Sequence, residues 1–211
     1  RIFFAILRPF VGLLCRIRYR VRVRRFGDRR PVIALMNHQT AFDQFFVEMA
    51  FRLPVYYVAS EDLFSKGWLS RIIEHVVAPI PIKKSVTDMK AVKICARVAK
   101  EGGTIAIAPE GNRTYSGVTE YIKPSIVSLI RFLRMPIAFY KIEGGYGVEP
   151  RWSSVARKGK MRAYVSQVIE PETYQSMTNE ELFRAIQTGL YVNEAVADGA
   201  DGTYVFNQFL V

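Results

Sequence analysis

Short apolar runs alternate along the chain with longer segments in which apolar residues recur every three or four positions. After the apolar run 32–36, a helix is predicted by apolar side chains at helical spacing, namely Phe42, Phe45, Phe46 and Met49. Strands are predicted at residues 17–24, 32–36, 55–59, 77–82, 104–108, 137–142 and 161–169. Helices are predicted at residues 2–14, 42–52, 63–75, 87–101, 122–134 and 178–191. This alternation is typical of an α/β fold, so we expect a single domain with a central mixed sheet flanked by helices.

The N-terminal part of the chain combines apolar and strongly basic patterns. Nine arginines fall between Arg8 and Arg30, and across residues 16–24 arginine alternates strictly with an apolar or aromatic residue. Such alternation predicts a strand with one basic and one apolar face. The apolar residues ahead of it are too few to span a bilayer, which takes about 20, and Arg8 and Pro9 interrupt them.

Two interpretations of this N-terminal segment stay open. It can form a helix that lies in the membrane interface, where nearby arginines are attracted to anionic lipid, or it can simply pack on the sheet. We expect the interfacial helix, and divide the chain into an N-terminal membrane-associated segment, residues 1–15, and a globular domain, residues 16–211.

Composition narrows the classes of protein to consider. The 211 residues suffice for one domain with a full core, and the formal net charge is +11. The two cysteines, Cys15 and Cys95, lie in apolar helical contexts and are interpreted as reduced structural thiols. A basic chain rich in aromatics also fits a non-catalytic protein that binds nucleic acid or an anionic surface. Most aromatics fall inside apolar runs and no nucleic-acid-binding motif is present, so this class is kept only as an alternative.

The first candidate for chemistry is a histidine and an aspartate, His38 and Asp43, which directly follow the apolar run 32–36. Five residues of helix would place them on different faces, so His38 is expected in a loop and Asp43 in the first turn of the next helix. An imidazole held by a carboxylate can act as a base near neutral pH, because its free pKa is about 6.5. The alternative is structural, since Thr40 and Asp43 also have the spacing of a helix capping box.

A second candidate loop, residues 109–117, follows the apolar run 104–108. Gly111 permits a tight turn, Arg113 offers a planar donor suited to phosphate, and Glu110 can accept a hydrogen bond from a hydroxyl. In an open α/β sheet, ligands bind beyond the carboxyl ends of the strands, where both candidate loops fall. A third, turn-rich loop at residues 144–152 can border the same crevice, but a plain connection to the next strand is the favoured interpretation.

These motifs together resemble the glycerolipid acyltransferase family, which includes 1-acyl-glycerol-3-phosphate acyltransferases. The family's first motif is Asn-His-x4-Asp, which matches residues 37–43, and its third is Glu-Gly-Thr-Arg-Ser, which matches residues 110–114 with Asn112 and Thr114 as the departures. The second motif, a basic residue that closes an apolar strand, corresponds to residues 78–84. The fourth, a proline-centred strand, corresponds loosely to residues 135–140.

The resemblance implies a function and roles for these residues. His38 would be the general base and Asp43 its orienting partner, in an acyltransferase domain that spans residues 16–211. The residues implied to bind substrate are Glu110, Gly111, Arg113 and Thr114, with Lys83 or Lys84 adding positive charge. No metal or cofactor is expected, because the co-substrate is already an activated thioester, on either coenzyme A or acyl carrier protein.

The resemblance also implies the substrates and the location. The default acceptor is lysophosphatidic acid, which would become phosphatidic acid in phospholipid biosynthesis, and the alternative is glycerol 3-phosphate or another lysophospholipid. We expect an enzyme associated with the cytoplasmic face of a membrane, in contact with anionic lipid and without a nucleic-acid partner.

Overall fold

The computed structural model describes residues 2–60, 79–82, 88–155 and 157–194, with side chains from Pro9 onward. The strands are β1 Val21–Val23, β2 Ile33–Met36, β3 Val55–Ser60, β4 Ile80–Ile82, β5 Thr104–Ile107, β6 Ile137–Glu143 and β7 Met161–Ile169. The helices are α1 Ile2–Tyr19, α2 Asp43–Ala50, α3 Met89–Lys100, α4 Ser125–Leu133, α5 Gly145–Val148, α6 Pro171–Gln175 and α7 Asn179–Leu190.

The described strands form one mixed sheet, as the sequence predicts. Its order is β1-β7-β6-β2-β5-β3-β4. The central strands β6, β2, β5, β3 and β4 run parallel to one another, whereas β6 and β7 are antiparallel and β1 is parallel to β7. Strands β2 and β5, in the middle of the sheet, are buried along their whole length, because helices cover both faces of the sheet.

Each face of the sheet carries its own apolar core. One core packs α3, α4 and α7 against residues such as Ile33, Leu35 and Ile105. The other packs α1 and α2 against the opposite side of the same strands, at Ala34, Met36 and similar positions. This second face matters for function, because α2 begins directly beyond the end of β2 and carries Asp43.

The predicted strand at residues 17–24 is wrong in its first half, because α1 continues to Tyr19 and only Val21–Val23 is extended. Helical spacing explains the difference: Gly12, Cys15 and Tyr19 lie on one buried face of α1, against α2 and the sheet. Arginines at every second position are also compatible with a helix when the residues on both sides of its buried face are exposed to solvent. The helix ends where Arg20 adopts a left-handed backbone conformation, with φ 47°.

The opposite face of α1 is apolar and exposed, at Phe10, Leu13, Leu14 and Ile17. One face of α1 therefore packs on the domain while the other is open to solvent, and a position of this helix in the membrane interface stays a prediction. Within the described residues, no helix is long and apolar enough to cross a bilayer.

The remaining predicted elements agree with the structure to within a few residues, where it describes them. The predicted helix at 63–75 and the first residues of the predicted strand at 77–82 lie outside the described residues. Two short helices, α5 and α6, are not predicted from the sequence.

Candidate active site

The two candidate loops meet because β2 and β5 are adjacent and parallel. Leu35 of β2 is paired with Ile107 of β5. His38 lies three residues after Leu35 and Glu110 three residues after Ile107, so both lie at the same edge of the sheet. The contact between the loops is direct: the backbone N–H of His38 donates to Glu110 Oε1 at 3.0 Å. The carboxyl ends of these strands therefore bring the two sequence motifs together.

His38 and Asp43 form the predicted pair. His38 lies in the loop and Asp43 is the first residue of α2, as their spacing requires. The distance from His38 Nδ1 to Asp43 Oδ2 is 2.9 Å, and the Asp43 side chain is fully buried while the His38 side chain is 19% exposed. With Nδ1 bound to the carboxylate, Nε2 is the ring nitrogen left to exchange a proton.

Asp43 also serves the backbone, which is the structural alternative. Its oxygens accept hydrogen bonds from the Gln39 amide at 2.6 Å, the Thr40 amide at 3.0 Å and the Thr40 hydroxyl at 2.6 Å. A full capping box is not formed, because the Thr40 hydroxyl donates to Asp43 and accepts from the Phe42 amide. A buried carboxylate needs such donors, so the same contacts that shape the loop keep Asp43 ready to hold His38.

Glu110 acts as a brace between loops. Its Oε1 accepts from the His38 amide and its Oε2 from the Glu120 amide at 2.5 Å. Burial raises the pKa of the Glu110 carboxyl to about 7, and the two amide hydrogen bonds oppose that rise. A carboxylate has room for about four hydrogen bonds. The two observed hydrogen bonds therefore leave room for a further one, and contact between Glu110 and an acceptor hydroxyl stays a prediction.

Thr114 and Gly111 shape the second loop. The Thr114 amide donates to the His38 carbonyl at 2.8 Å, and its hydroxyl donates to the Val118 carbonyl at 2.6 Å. Thr114 is only 1% exposed and fixes the loop from inside, and contact between Thr114 and a substrate stays a prediction. Gly111 has φ +72°, a conformation that favours glycine, and its amide closes a turn onto the Ala108 carbonyl at 3.0 Å.

Arg113 is partly exposed and contacts a residue that the sequence did not single out. Its Nη1 donates to Glu149 Oε1 at 3.0 Å, with side-chain exposures of 28% and 16%. Glu149 directly follows α5, in the loop at residues 144–152 for which the sequence favours a plain connection between strands. The loop does more than connect two strands, because the backbone amide of its Tyr146 donates to Gln39 Oε1 at 2.8 Å and the loop therefore borders the site.

Two further residues, Asn37 and Glu194, fix the end of β6 and the third loop that follows it. The Asn37 side-chain amide exchanges two hydrogen bonds with the backbone of Ile142, at 2.7 and 2.8 Å, as an added ladder step between β2 and β6. Glu194 accepts from the amides of Gly144 and Tyr146, at 2.5 and 3.2 Å. Burial raises the pKa of the Glu194 carboxyl to about 7. Asn37 carries a signal in the Asn-His-x4-Asp motif, whereas nothing in the sequence marks Glu194.

The predicted basic residues Lys83 and Lys84 lie outside the described residues. Among the residues that the structure does describe, no three histidine, cysteine, aspartate or glutamate side chains lie close enough together to hold a metal ion.

Comparison with known proteins gives a family match. Residues 17–139, more than half of the chain, match the sequence profile of a protein family described as Acyltransferase. The chain is 21% identical over 136 residues to 1-acyl-sn-glycerol-3-phosphate acyltransferase from Bacillus subtilis (strain 168), a match that spans 64% of this chain and 65% of that relative.

A solved structure shares the fold. The crystal structure of the 1-acyl-sn-glycerophosphate (LPA) acyltransferase PlsC from Thermotoga maritima superposes with a TM-score of 0.64 at 20% identity, covering 80% of this chain and 67% of that one. The family match includes the His38–Asp43 loop, Glu110, Arg113, strands β2 to β5 and the first residues of β6. The chain therefore belongs to the acyltransferase family.

Proposed function

We propose that this protein transfers a fatty acyl group from an acyl thioester to the free hydroxyl of a 1-acylglycerol 3-phosphate, giving phosphatidic acid. The observation that carries the proposal is the 2.9 Å contact between His38 Nδ1 and the buried Asp43, on a loop whose carbonyl accepts from the Thr114 amide. The contact between the Thr114 amide and the His38 carbonyl also supports a phosphate-binding role for Arg113, because it holds the residue next to Arg113 close to the proposed base.

The chemistry follows from the His38 imidazole. Its Nε2 takes the proton of the acceptor hydroxyl, and the oxygen attacks the carbonyl carbon of the thioester. The carbon–sulfur bond then breaks, and the leaving thiolate receives the proton from the imidazolium. Asp43 keeps Nδ1 protonated throughout and stabilises the positive charge on the ring. A base positioned in this way contributes about 10² to 10⁴ in rate.

Arg113 is the proposed anchor for the acceptor's phosphate. A guanidinium binds phosphate through more than one N–H group, and only Nη1 of Arg113 bonds a described side chain. The Bacillus subtilis and Thermotoga maritima relatives are both named as acyltransferases of an acceptor that carries a phosphate, and we extend that acceptor class to this chain. The donor is an acyl thioester of coenzyme A or of acyl carrier protein.

The test is product analysis with a panel of substrates. Purified protein is supplied with labelled acyl-coenzyme A or acyl carrier protein, and with lysophosphatidic acid, glycerol 3-phosphate, other lysophospholipids or a monoacylglycerol that lacks phosphate. We expect phosphatidic acid as the main product and little transfer to the acceptor without phosphate. Preferred transfer to glycerol 3-phosphate would shift the acceptor assignment. No transfer to any acceptor, together with salt-sensitive binding to nucleic acid, would favour the non-catalytic alternative.

A membrane surface with anionic lipid is the proposed location. The exposed apolar stripe of α1, Phe10, Leu13, Leu14 and Ile17, follows helical spacing and is flanked by the exposed Arg16 and Arg18. An apolar stripe with flanking arginines suits a helix that lies in the lipid interface, where each cation adds about 1 kcal/mol. The acceptor and product are themselves lipids, so docking on a membrane would also bring the enzyme to its substrates.

Vesicle co-sedimentation tests this location. Leu13→Glu together with Ile17→Glu is expected to lower partitioning onto phosphatidylglycerol vesicles at least about tenfold, because charges enter the apolar stripe. Phe132→Glu is the matched control, since Phe132 is 59% exposed and lies on α4, at the other face of the sheet. Equal loss in both variants, or loss in neither, would place the membrane contact elsewhere.

A further inference from the structure

The carboxylate of Glu149 joins two parts of the molecule that lie far apart in the sequence. Its Oε1 accepts from Arg113 Nη1 at 3.0 Å, and its Oε2 accepts from the hydroxyl of Tyr19 at 2.6 Å. Tyr19 is the last residue of α1, the helix with the exposed apolar stripe. One carboxylate therefore connects the proposed phosphate anchor to the proposed membrane helix.

Tyr19 is a fixed point for this connection. It is 1% exposed, and its ring packs against Phe42 and Phe46, with ring centroids 5.3 and 5.8 Å away. Phe42 directly precedes Asp43 at the start of α2, so Tyr19 is held by the same helix that carries the histidine's partner. Burial, and then the hydrogen bond to Glu149, raise the pKa of the Tyr19 hydroxyl, which keeps it a donor.

Glu149 is itself held on the backbone side. Its amide donates to the Gly145 carbonyl at 2.8 Å, and the turn that contains Gly145 is fixed by Glu194 and Gln39. Arg113, in contrast, has a long side chain that loses considerable conformational freedom when it is ordered. A partner that fixes one guanidinium nitrogen before the substrate arrives lowers the cost of that ordering.

We propose that Glu149 is a positioning residue for the acceptor: it holds one nitrogen of Arg113, anchored through Tyr19 to α1, and leaves the other N–H groups of the guanidinium for the phosphate. This inference rests on the proposed function, because it assigns Glu149 a role only through Arg113.

Tyr19→Phe removes one of the two hydrogen bonds and keeps the ring packing. Glu149→Ala removes both, because both end on the Glu149 carboxylate. Glu149→Gln keeps one oxygen that can accept from Arg113. We expect the KM for lysophosphatidic acid to rise about tenfold in Glu149→Ala, less in Glu149→Gln and Tyr19→Phe, with the KM for the acyl donor within about twofold of wild type.

The chain offers a matched control for the loss of a carboxylate. Glu143 also accepts from an arginine and a tyrosine, Arg162 Nε and the Tyr164 hydroxyl, but on the antiparallel β6–β7 pair and away from Arg113. Glu143→Ala is expected to leave both KM values unchanged. A rise in the acceptor's KM in this variant as large as in Glu149→Ala would indicate a general effect of removing charge and would overturn the proposal.

The deciding experiment is a double-mutant cycle with Arg113→Ala. If Glu149 acts through Arg113, Glu149→Ala adds no further rise in the acceptor's KM once Arg113 is gone. Additive effects would show a separate role, and a lower KM in Glu149→Ala alone would show that the carboxylate competes with phosphate. Either result overturns the proposal. If Arg113→Ala alone leaves the KM unchanged, the phosphate assignment fails and the role of Glu149 fails with it.

Discussion

Asp43→Asn tests how the buried carboxylate controls His38. Asparagine keeps one accepting oxygen and replaces the other by a donating nitrogen. At Oδ2 the wild-type carboxylate accepts from His38 Nδ1 and from the backbone amides of Gln39 and Thr40. At Oδ1 it accepts from the Thr40 hydroxyl, which can rotate to accept instead, and shares the Thr40 amide. Because the backbone amides cannot turn round, the oxygen of the substituted side chain should take the Oδ2 position.

The size of the effect follows from that orientation. His38 keeps its proton on Nδ1, and only the negative charge that stabilises the imidazolium is lost. A hydrogen bond to a charged group contributes about 1 to 2 kcal/mol more than a neutral one, which corresponds to about a 5- to 30-fold lower kcat. If the nitrogen instead faced His38, the imidazole would carry its proton on Nε2, and the loss would approach about 10⁴-fold.

The assay is acceptor-dependent release of thiol from acyl-coenzyme A, measured for wild type, Asp43→Asn and Asp43→Ala. Asp43→Ala leaves buried donors unsatisfied and should lose stability and activity together, by about 3 kcal/mol or more in the free energy of unfolding. Chemical denaturation would check that Asp43→Asn is folded. A loss near 10⁴-fold in folded Asp43→Asn, or unchanged activity, would show that the backbone amides of Gln39 and Thr40 do not set the orientation of the substituted side chain.

Two further predictions concern the loop beside the site. The raised pKa of Glu194, about 7 against 4.5 for the free group, means that the folded protein binds an extra proton between these values, so the free energy of unfolding should fall as pH rises through that range. Glu194→Gln should flatten that fall by about 1 to 3 kcal/mol; an unchanged slope in equilibrium denaturation would show that Glu194 is not responsible. Gly145→Ala would bring its Cβ to 2.5 Å from the Gln39 Cβ, so we expect a loss of about 1 to 3 kcal/mol and a lower kcat. Gly27→Ala is the control, since nothing lies within 4 Å there, and equal behaviour of the two variants would contradict this packing argument.

Local pattern was sufficient for much of the fold. The buried runs that became β2 and β5, and the helical spacing that became α2, depend on burial and periodicity, which are visible in a single sequence. The same information implied that His38 would lie in a loop and Asp43 in the first helical turn, and the structure has this arrangement. Residues 17–19 are helical and not part of a strand as predicted, because alternating arginines are compatible with both a strand and an exposed helix.

The parts of the site that could not be predicted depend on contacts between distant segments. Glu149 lies in a turn-rich loop, and only the tertiary fold brings it to Arg113 and Tyr19. The family resemblance implies that Glu110 contacts the acceptor. The structure shows in addition that its buried oxygens accept hydrogen bonds from the backbone of two loops. The role of Glu149 leaves no pattern because its two side-chain partners are distant in the sequence, and that of Glu110 leaves none because any residue can offer a backbone amide.

The role of His38 as the base in an acyl transfer is tested by a single comparison. Thiol release from acyl-coenzyme A is measured with and without lysophosphatidic acid, for wild type and His38→Ala. We expect release in wild type that requires the acceptor, and a kcat lowered by about 10² to 10⁴ in the variant. If folded His38→Ala kept more than about a tenth of the wild-type rate, the general-base role and the proposed mechanism would both be contradicted.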